Sequence, residues 1–161
     1  MLSKFKNKYI ILGISFLPIL IVIFAKMNNY YIGINLSESI DKTIFLYKED
    51  PSYVPKKNDI AVFKVKNDDQ FYPNKRFVKI IIATPDDKIT QIGNHYVVNN
   101  IQITAKKYAK NGQKLDNFKI LNNIIPKNNY FVITDHKDSY DSRYFGYVNQ
   151  DQIIGYVTAS I

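Results

Sequence analysis

Apolar and polar positions along this chain alternate in short bursts that predict strands, after one long apolar run near the beginning. Tyr9 to Ala25 carries no charge and is interrupted only by Gly13, Ser15 and Pro18. Wound as a helix at about 1.5 Å per residue, that run would be about 26 Å long, close to the hydrocarbon thickness of a bilayer. Lys4, Lys6 and Lys8 precede it and Lys26 follows. The positive-inside rule then predicts a cytoplasmic basic N-terminus (residues 1–8), a single-pass transmembrane anchor (9–26) and an extracytoplasmic domain (27–161). A cleavable leader would open in the same way, but Ile23-Phe24-Ala25 is a poor small-x-small cleavage site, which favours a retained anchor; both readings export the domain.

After Lys26 the period shortens. Tyr30 to Ile34 suits either an interfacial aromatic belt or a first strand. Thr43 to Tyr47, Asp59 to Val65, Phe77 to Ile82, Lys88 to Ile92, His95 to Val98, Ile101 to Ile103, Tyr130 to Ile133 and Ile153 to Thr158 read as strands. Between them lie a loop with Pro51 and Pro55, a polar turn from Asn67 to Asn74, and a hairpin turn at Asn99-Asn100. Residues 104–123 are lysine-rich and weakly patterned, an excursion expected to carry its own short strand or helix. The fold class expected is mostly β: antiparallel strands coiled into a compact barrel-like domain, tethered by one N-terminal helix.

Two residues break the pattern. Lys79 lies inside Phe77-Val78-Lys79-Ile80-Ile81-Ile82-Ala83, where alternation puts Phe77, Lys79 and Ile81 on one face and Val78, Ile80 and Ile82 on the other. Both faces look buried, and burial disfavours an ammonium, pulling it down from about 10.4 into the range where a neutral amine acts as a general base. A lone strand lysine more often lays its methylenes on apolar surface with its charge in water, so the rest of the chain has to decide. Arg143 is the second oddity, one of 2 arginines against 20 lysines. Its planar fork suggests a carboxylate partner, and Asp141, two residues away on the same side of an extended chain, is the obvious one.

Composition removes several chemistries. The charge of +8 comes mainly from scattered lysines with no dense run, which points to a solvated face rather than to nucleic acid. Zero cysteines exclude disulfides, thiol nucleophiles and thiolate-bound zinc. His95 and His136 lack any metal-ligand spacing, and the 6 glycines form no phosphate loop, so no metal or organic cofactor is expected.

Taken in order, the motifs are an anchor, Ser37-Glu38-Ser39, Asp59-Ile60-Ala61-Val62-Phe63, the Lys79 strand closed by Pro85-Asp86-Asp87-Lys88, and Ser139-Tyr140-Asp141-Ser142-Arg143-Tyr144-Phe145-Gly146. This order resembles the type I signal peptidase family and, within it, the conjugative-transfer, TraF-like branch. The resemblance runs from end to end. Asp141 to Gly146 is its most specific element and Ser37 to Ser39 its least.

The resemblance implies a serine endopeptidase in which Ser39 is the nucleophile and Lys79 the general base. It also implies that Ser37 shares the oxyanion with the Ser39 backbone N–H, that Ser139 orients the lysine, and that Asp141 and Arg143 form a structural ion pair. The implied partners are precursor proteins with N-terminal leaders, a conjugative prepilin among them, and the lipid bilayer of a bacterial inner membrane; no nucleic acid is implied. The chain departs from the family in places. Ile40 and Asp41 follow Ser39 where Met or Leu and then Pro are usual, and Thr43 stands where the conjugative branch has Gly. Asn58 and Asp86 each replace a common Gly, and Ile80 an arginine. A register shifted by four onto Lys75-Arg76 is the alternative, but Lys75 falls in a polar turn with nothing to lower its pKa. The competing function is a catalytically inactive, membrane-tethered β domain that binds or assembles secretion or pilus components.

Overall fold

The computed structural model describes residues 16–35, 40–134 and 136–161, so Ser37, Ser39 and residues 9–15 of the expected anchor lie outside the described residues. A helix, α1, covers residues 16–27, and its large apolar side chains from Phe16 to Met27 are exposed. Among the described residues no helix is long and apolar enough to cross a membrane. Asn28 ends α1 by donating from its side-chain amide to Phe24 O (2.8 Å), and Asn29 turns the chain with φ 60°.

The chain then runs directly into β1 (Tyr30–Ile34), which decides between the two readings of that aromatic stretch in favour of a strand. The strands that follow are β2 (Ile44–Glu49), β3 (Ile60–Lys64), β4 (Arg76–Ala83), β5 (Ile89–Ile92), β6 (His95–Val98), β7 (Ile101–Thr104), β8 (Asn129–Ile133), β9 (Val148–Asn149) and β10 (Ile153–Ser160), with a short helix α2 (Ser142–Phe145) before β9. They form two antiparallel sheets: seven strands in the order β1-β2-β10-β3-β4-β8-β9, and three in the order β5-β6-β7. The larger sheet ends at β1 and β9, so it is open where a barrel-like unit was expected.

Strand β4 is the keystone because it contributes to two cores. Phe77 and Ile81 pack with Ala61, Phe63, Val132 and Ile153 on one side, while Ile80 and Ile82 pack with Ile89, Tyr96 and Phe131 on the other. A strand covered on both faces reads as a continuous apolar run, and this is why its sequence shows so few polar breaks. Its partner β8 does the same, with Phe131 on one side and Val132 on the other.

The turns follow their residues. Asn99 and Asn100, at φ 47° and 70°, make the hairpin between β6 and β7 with both central residues left-handed. At Thr84-Pro85-Asp86-Asp87, the Asp87 N–H donates to Thr84 O (3.1 Å) and Asp86 has φ 70°, the position where such a turn ordinarily takes Gly. Asn58, the other site where Gly is replaced, has φ 71°. Asn and Asp visit this region more readily than other non-glycine residues, so both substitutions leave the backbone path intact.

The 104–123 excursion does not form the strand or helix expected of it. Beyond the end of β7 it has one isolated bridge, Tyr108 to Lys114, and is otherwise irregular. Its ends are satisfied by other segments, Ala105 N donating to Asn94 O (2.8 Å), Phe118 N to Arg143 O (2.9 Å) and Ile120 N to Gln91 Oε1 (2.8 Å), while its middle bonds to itself, with Ala109 N donating to Gln113 O (2.9 Å) and Leu115 N to Lys107 O (3.0 Å).

Gly155 marks a close approach between β10 and β2. A Cβ there would lie 1.8 Å from Lys48 O, so backbone rather than a yielding side chain stands in the way. Gly155→Ala is therefore expected to destabilise the domain by about 1–3 kcal/mol, read as a lower urea midpoint; an unchanged midpoint would mean the two strands separate easily.

Candidate active site

Lys79 occupies the middle of β4, paired across the sheet with Ala61, whose small side chain is fully buried. Only 4% of Lys79 is exposed, so the residue does not snorkel. Its amine donates to Ser139 Oγ (2.7 Å) and lies 5.3 Å from the centre of the Phe77 ring. Burial pushes the ammonium down to about 8; the Asp141 carboxylate partly counteracts this and the Arg143 cation adds to it. Lys75, by contrast, is exposed just ahead of β4, and Arg76 spends its guanidinium on Glu49 Oε1 (2.7 Å) and Tyr47 OH (3.0 Å). The register shifted by four thus has no buried amine.

Ser139 is 2% exposed and is held from behind by the Asp141/Arg143 pair. Arg143 donates from Nε to Asp141 Oδ1 (2.7 Å) and from Nη2 to Asp141 Oδ2 (2.8 Å), the two-pronged geometry that only arginine provides. The remaining donors reach Ser139 O (3.0 Å) and Thr104 O (3.0 Å). One side chain thereby ties the serine loop to the root of the excursion. Burial alone would weaken the guanidinium's hold on its proton, but the hydrogen bonds and charge of Asp141 outweigh it and raise the pKa.

The pair was expected on an extended stretch, and here the structure differs. Asp141 is the extended N-cap of α2, its Oδ1 also accepting from Arg143 N (3.2 Å), and Arg143 lies within the helical turn. The turn brings the two side chains together, and Gly146 closes it at φ 82°. The Phe118 ring would lie 2.5 Å from any Cβ at that position, so excursion and motif fit only with glycine there.

Lys79 opens on a cleft of about 950 Å³. Gly33, Ile34, Phe45 and Tyr47 line it from β1 and β2, and Val62, Phe77 and Val78 from β3 and β4. Asn35 and Ile40, which flank residues 36–39 on either side, line the same cleft. Ser37 and Ser39 themselves lie outside the described residues. Among the described residues no group of His, Asp and Glu side chains is arranged to hold a metal ion.

Four further contacts were not anticipated from the sequence. Asp138, on the cleft, accepts from Lys106 and pairs with Lys110 (3.8 Å), which clasps the excursion to the rim. The Tyr144 hydroxyl accepts from Lys106 N (2.9 Å). Tyr140, between Ser139 and Asp141, donates its O–H to Asp69 Oδ2 (3.0 Å), and its place inside the Ser139 to Gly146 block is the one sequence cue that could have drawn attention to it.

The fold and site define an antiparallel β domain with a buried lysine bonded to a serine at the edge of an apolar cleft. The chain belongs to the family described as signal peptidase, peptidase S26, whose family model matches residues 5–161. It is similar to signal peptidase IB of Staphylococcus aureus strain Mu50, and equally to that of strain N315, at 31% identity over 97 residues, 51% of this chain and 51% of each relative. The chain thus spans about half the length of the curated relatives it matches. A crystal structure of a signal peptidase I from Enterococcus faecalis V583 aligns with a TM-score of 0.45 at 23% identity, covering 66% of this chain and 98% of that one.

Proposed function

We propose that this chain is a membrane-anchored serine endopeptidase that removes N-terminal leaders from exported precursor proteins by a Ser39/Lys79 dyad. The observation that carries the reading is the Lys79 amine: buried, bonded to Ser139, with a pKa near 8, on a cleft that Asn35 and Ile40 also line. An amine of this kind is neutral in about one molecule in ten at pH 7 and in most molecules above pH 9, enough to act as a base.

In this reading the neutral Lys79 amine takes the Ser39 hydroxyl proton as the serine oxygen attacks the scissile carbonyl. Ser37 and the Ser39 backbone N–H receive the charge that develops on the carbonyl oxygen. The C–N bond then breaks, and the Lys79 ammonium returns the proton to the departing amine. Water, deprotonated by the same amine, releases the leader from its ester with Ser39. Ser139 holds the amine in line throughout, and Asp141 with Arg143 fixes Ser139.

The exposed apolar helix over residues 16–27 supports an anchor that continues toward the N-terminus, with the β domain on the exported face of the bacterial inner membrane. The finer assignment, to the TraF-like conjugative branch with a prepilin as substrate, rests on the motif resemblance alone. The test is cleavage of a leader-bearing precursor in membranes by the full chain, with Ser39→Ala and Lys79→Ala beside it. Both variants should lose processing; processing by either at the parent rate rules out the dyad.

A further inference from the structure

The loop over residues 65–75 carries a contact that Ser39/Lys79 chemistry alone does not require. Asp69 accepts with Oδ1 from the N–H groups of Phe71 (2.9 Å) and Tyr72 (2.7 Å), which shapes the loop, and with Oδ2 from the Tyr140 hydroxyl (3.0 Å). The loop runs into β4, the strand that holds Lys79, and Val65 N closes its base on Lys75 O (2.8 Å). Tyr140 directly follows Ser139, the acceptor for the Lys79 amine.

These contacts form a closed ring. From Lys79 it passes to Ser139, along the backbone to Tyr140, across to Asp69, through the loop to Tyr72, and by the Tyr72–Phe77 ring contact (5.3 Å) back beneath the Lys79 amine. The Tyr140 ring is wedged in the same place, stacked on Tyr144 at 5.6 Å and 4°, against Tyr72 at 5.3 Å and edge-on to Phe71 at 5.3 Å. Tyr72, Phe77 and Tyr140 all line the cleft that Lys79 faces.

We propose that Tyr140 is a positioning residue: Asp69 holds its hydroxyl so that its ring seals one wall beside Lys79 and its backbone keeps Ser139 against the amine. Without the hydrogen bond the loop and the Ser139 segment keep only ring contacts, which can slide, and lose the polar bridge that fixes them. Water then reaches the amine, and the amine keeps its proton to higher pH. The proposal rests on Lys79 as the base only for its activity readout; the titration of Lys79 tests it directly.

The decisive variant is Tyr140→Phe, which deletes one oxygen, preserves the ring and changes no charge. The groups that also face the cleft or Lys79 are left in place: Tyr47 on β2, Tyr72 on the loop, Lys75 and Arg76 at the start of β4, Lys110 on the excursion, His136 and Asp138 ahead of Ser139, and the Asp141/Arg143 pair. The Lys79 resonance is followed by NMR in carbon-13-lysine-labelled full chain and assigned by its disappearance in Lys79→Met. Tyr140→Phe should raise its titration midpoint by about 0.5–1 pH unit and lower kcat/KM at pH 7 about 3–10-fold, with no change near pH 10. Asp69→Ala should reproduce the shift, whereas Asp69→Asn, which can still hydrogen-bond the Tyr140 oxygen, should restore the parent midpoint. An unmoved midpoint in Tyr140→Phe overturns the proposal whether or not the chain cleaves precursors. So does a rate that falls equally at every pH, because loosened structure alone would do that.

Discussion

Lys79→Met is expected to lower kcat/KM for precursor cleavage by about 10³-fold or more and, at the same time, to make the domain more stable at neutral pH. The first effect follows, in the proposed dyad, from losing the buried amine assigned as the base. The second follows from what burial does to that amine. Its pKa stands at about 8 in the folded chain against 10.5 unfolded, so the folded state disfavours the charged form by about 3 kcal/mol. The sign can be followed with pH. Below about 8 both states are protonated and the full penalty applies. Between about 8 and 10.5 the unfolded chain binds more protons, so stability rises with pH, and above 10.5 both states are neutral and the penalty is gone.

Methionine keeps the length of the side chain and carries no charge, while giving up the bond to Ser139 at about 1 kcal/mol. The net expectation is a gain of about 2 kcal/mol at pH 7, or about 4–8 °C in Tm. Urea titrations of both proteins at about pH 6.5 and about pH 9.5 check it, because the advantage of Lys79→Met should shrink at the higher pH. An advantage that stays constant would mean the amine is not held dry. The same titration shapes the activity of the parent chain, whose kcat/KM should rise about tenfold per pH unit below pH 8 and level off above it.

Much of this was legible in the chain because Lys79 sits in an apolar context that only a strand covered on both faces produces, and β4 is such a strand. Hairpin and turn residues declared themselves by type: Asn99, Asn100 and Asp86 tolerate the left-handed conformations they adopt, and Pro85 supplies the fixed φ that opens its turn. What stayed hidden depends on contacts between distant segments. The excursion lacks a period because its two ends are satisfied by Asn94, Gln91 and Arg143, and only a short turn between Lys107 and Leu115 bonds to itself. The Asp141/Arg143 partnership was readable from residue type, but not its geometry: whether two residues so spaced meet on a strand or across a helical cap depends on the turn that Gly146 and Phe118 enforce. Tyr140 and Asp69 are 71 positions apart, and no local pattern signals such a bond.

Asp141→Ala should cost the domain about 3–5 kcal/mol, a large part of the total stability of a unit this size. The carboxylate is fully buried and takes both prongs of a guanidinium that is itself 3% exposed. Without it, Arg143 stays charged and desolvated, facing neutral groups alone in the carbonyls of Ser139 and Thr104 and the Tyr144 ring, and α2 loses its N-cap. Removing both partners gives no escape, since Arg143→Leu with Asp141→Leu would take the guanidinium donor from the buried Ser139 carbonyl, so the double variant should recover only part of the loss. Asp141→Asn keeps the cap and one acceptor and should fall between. It also allows a readout that unfolding could not imitate: the Asp141 charge holds the Lys79 pKa up while Arg143 presses it down, so the folded Asn variant should cleave with its pH profile displaced to lower pH. Urea midpoints for the four proteins, followed by that profile measured well below the melting range, decide the matter. A loss under about 1 kcal/mol for Asp141→Ala, or a profile displaced to higher pH in Asp141→Asn, would show that the pair does not support Ser139 and Lys79 in the way its geometry implies.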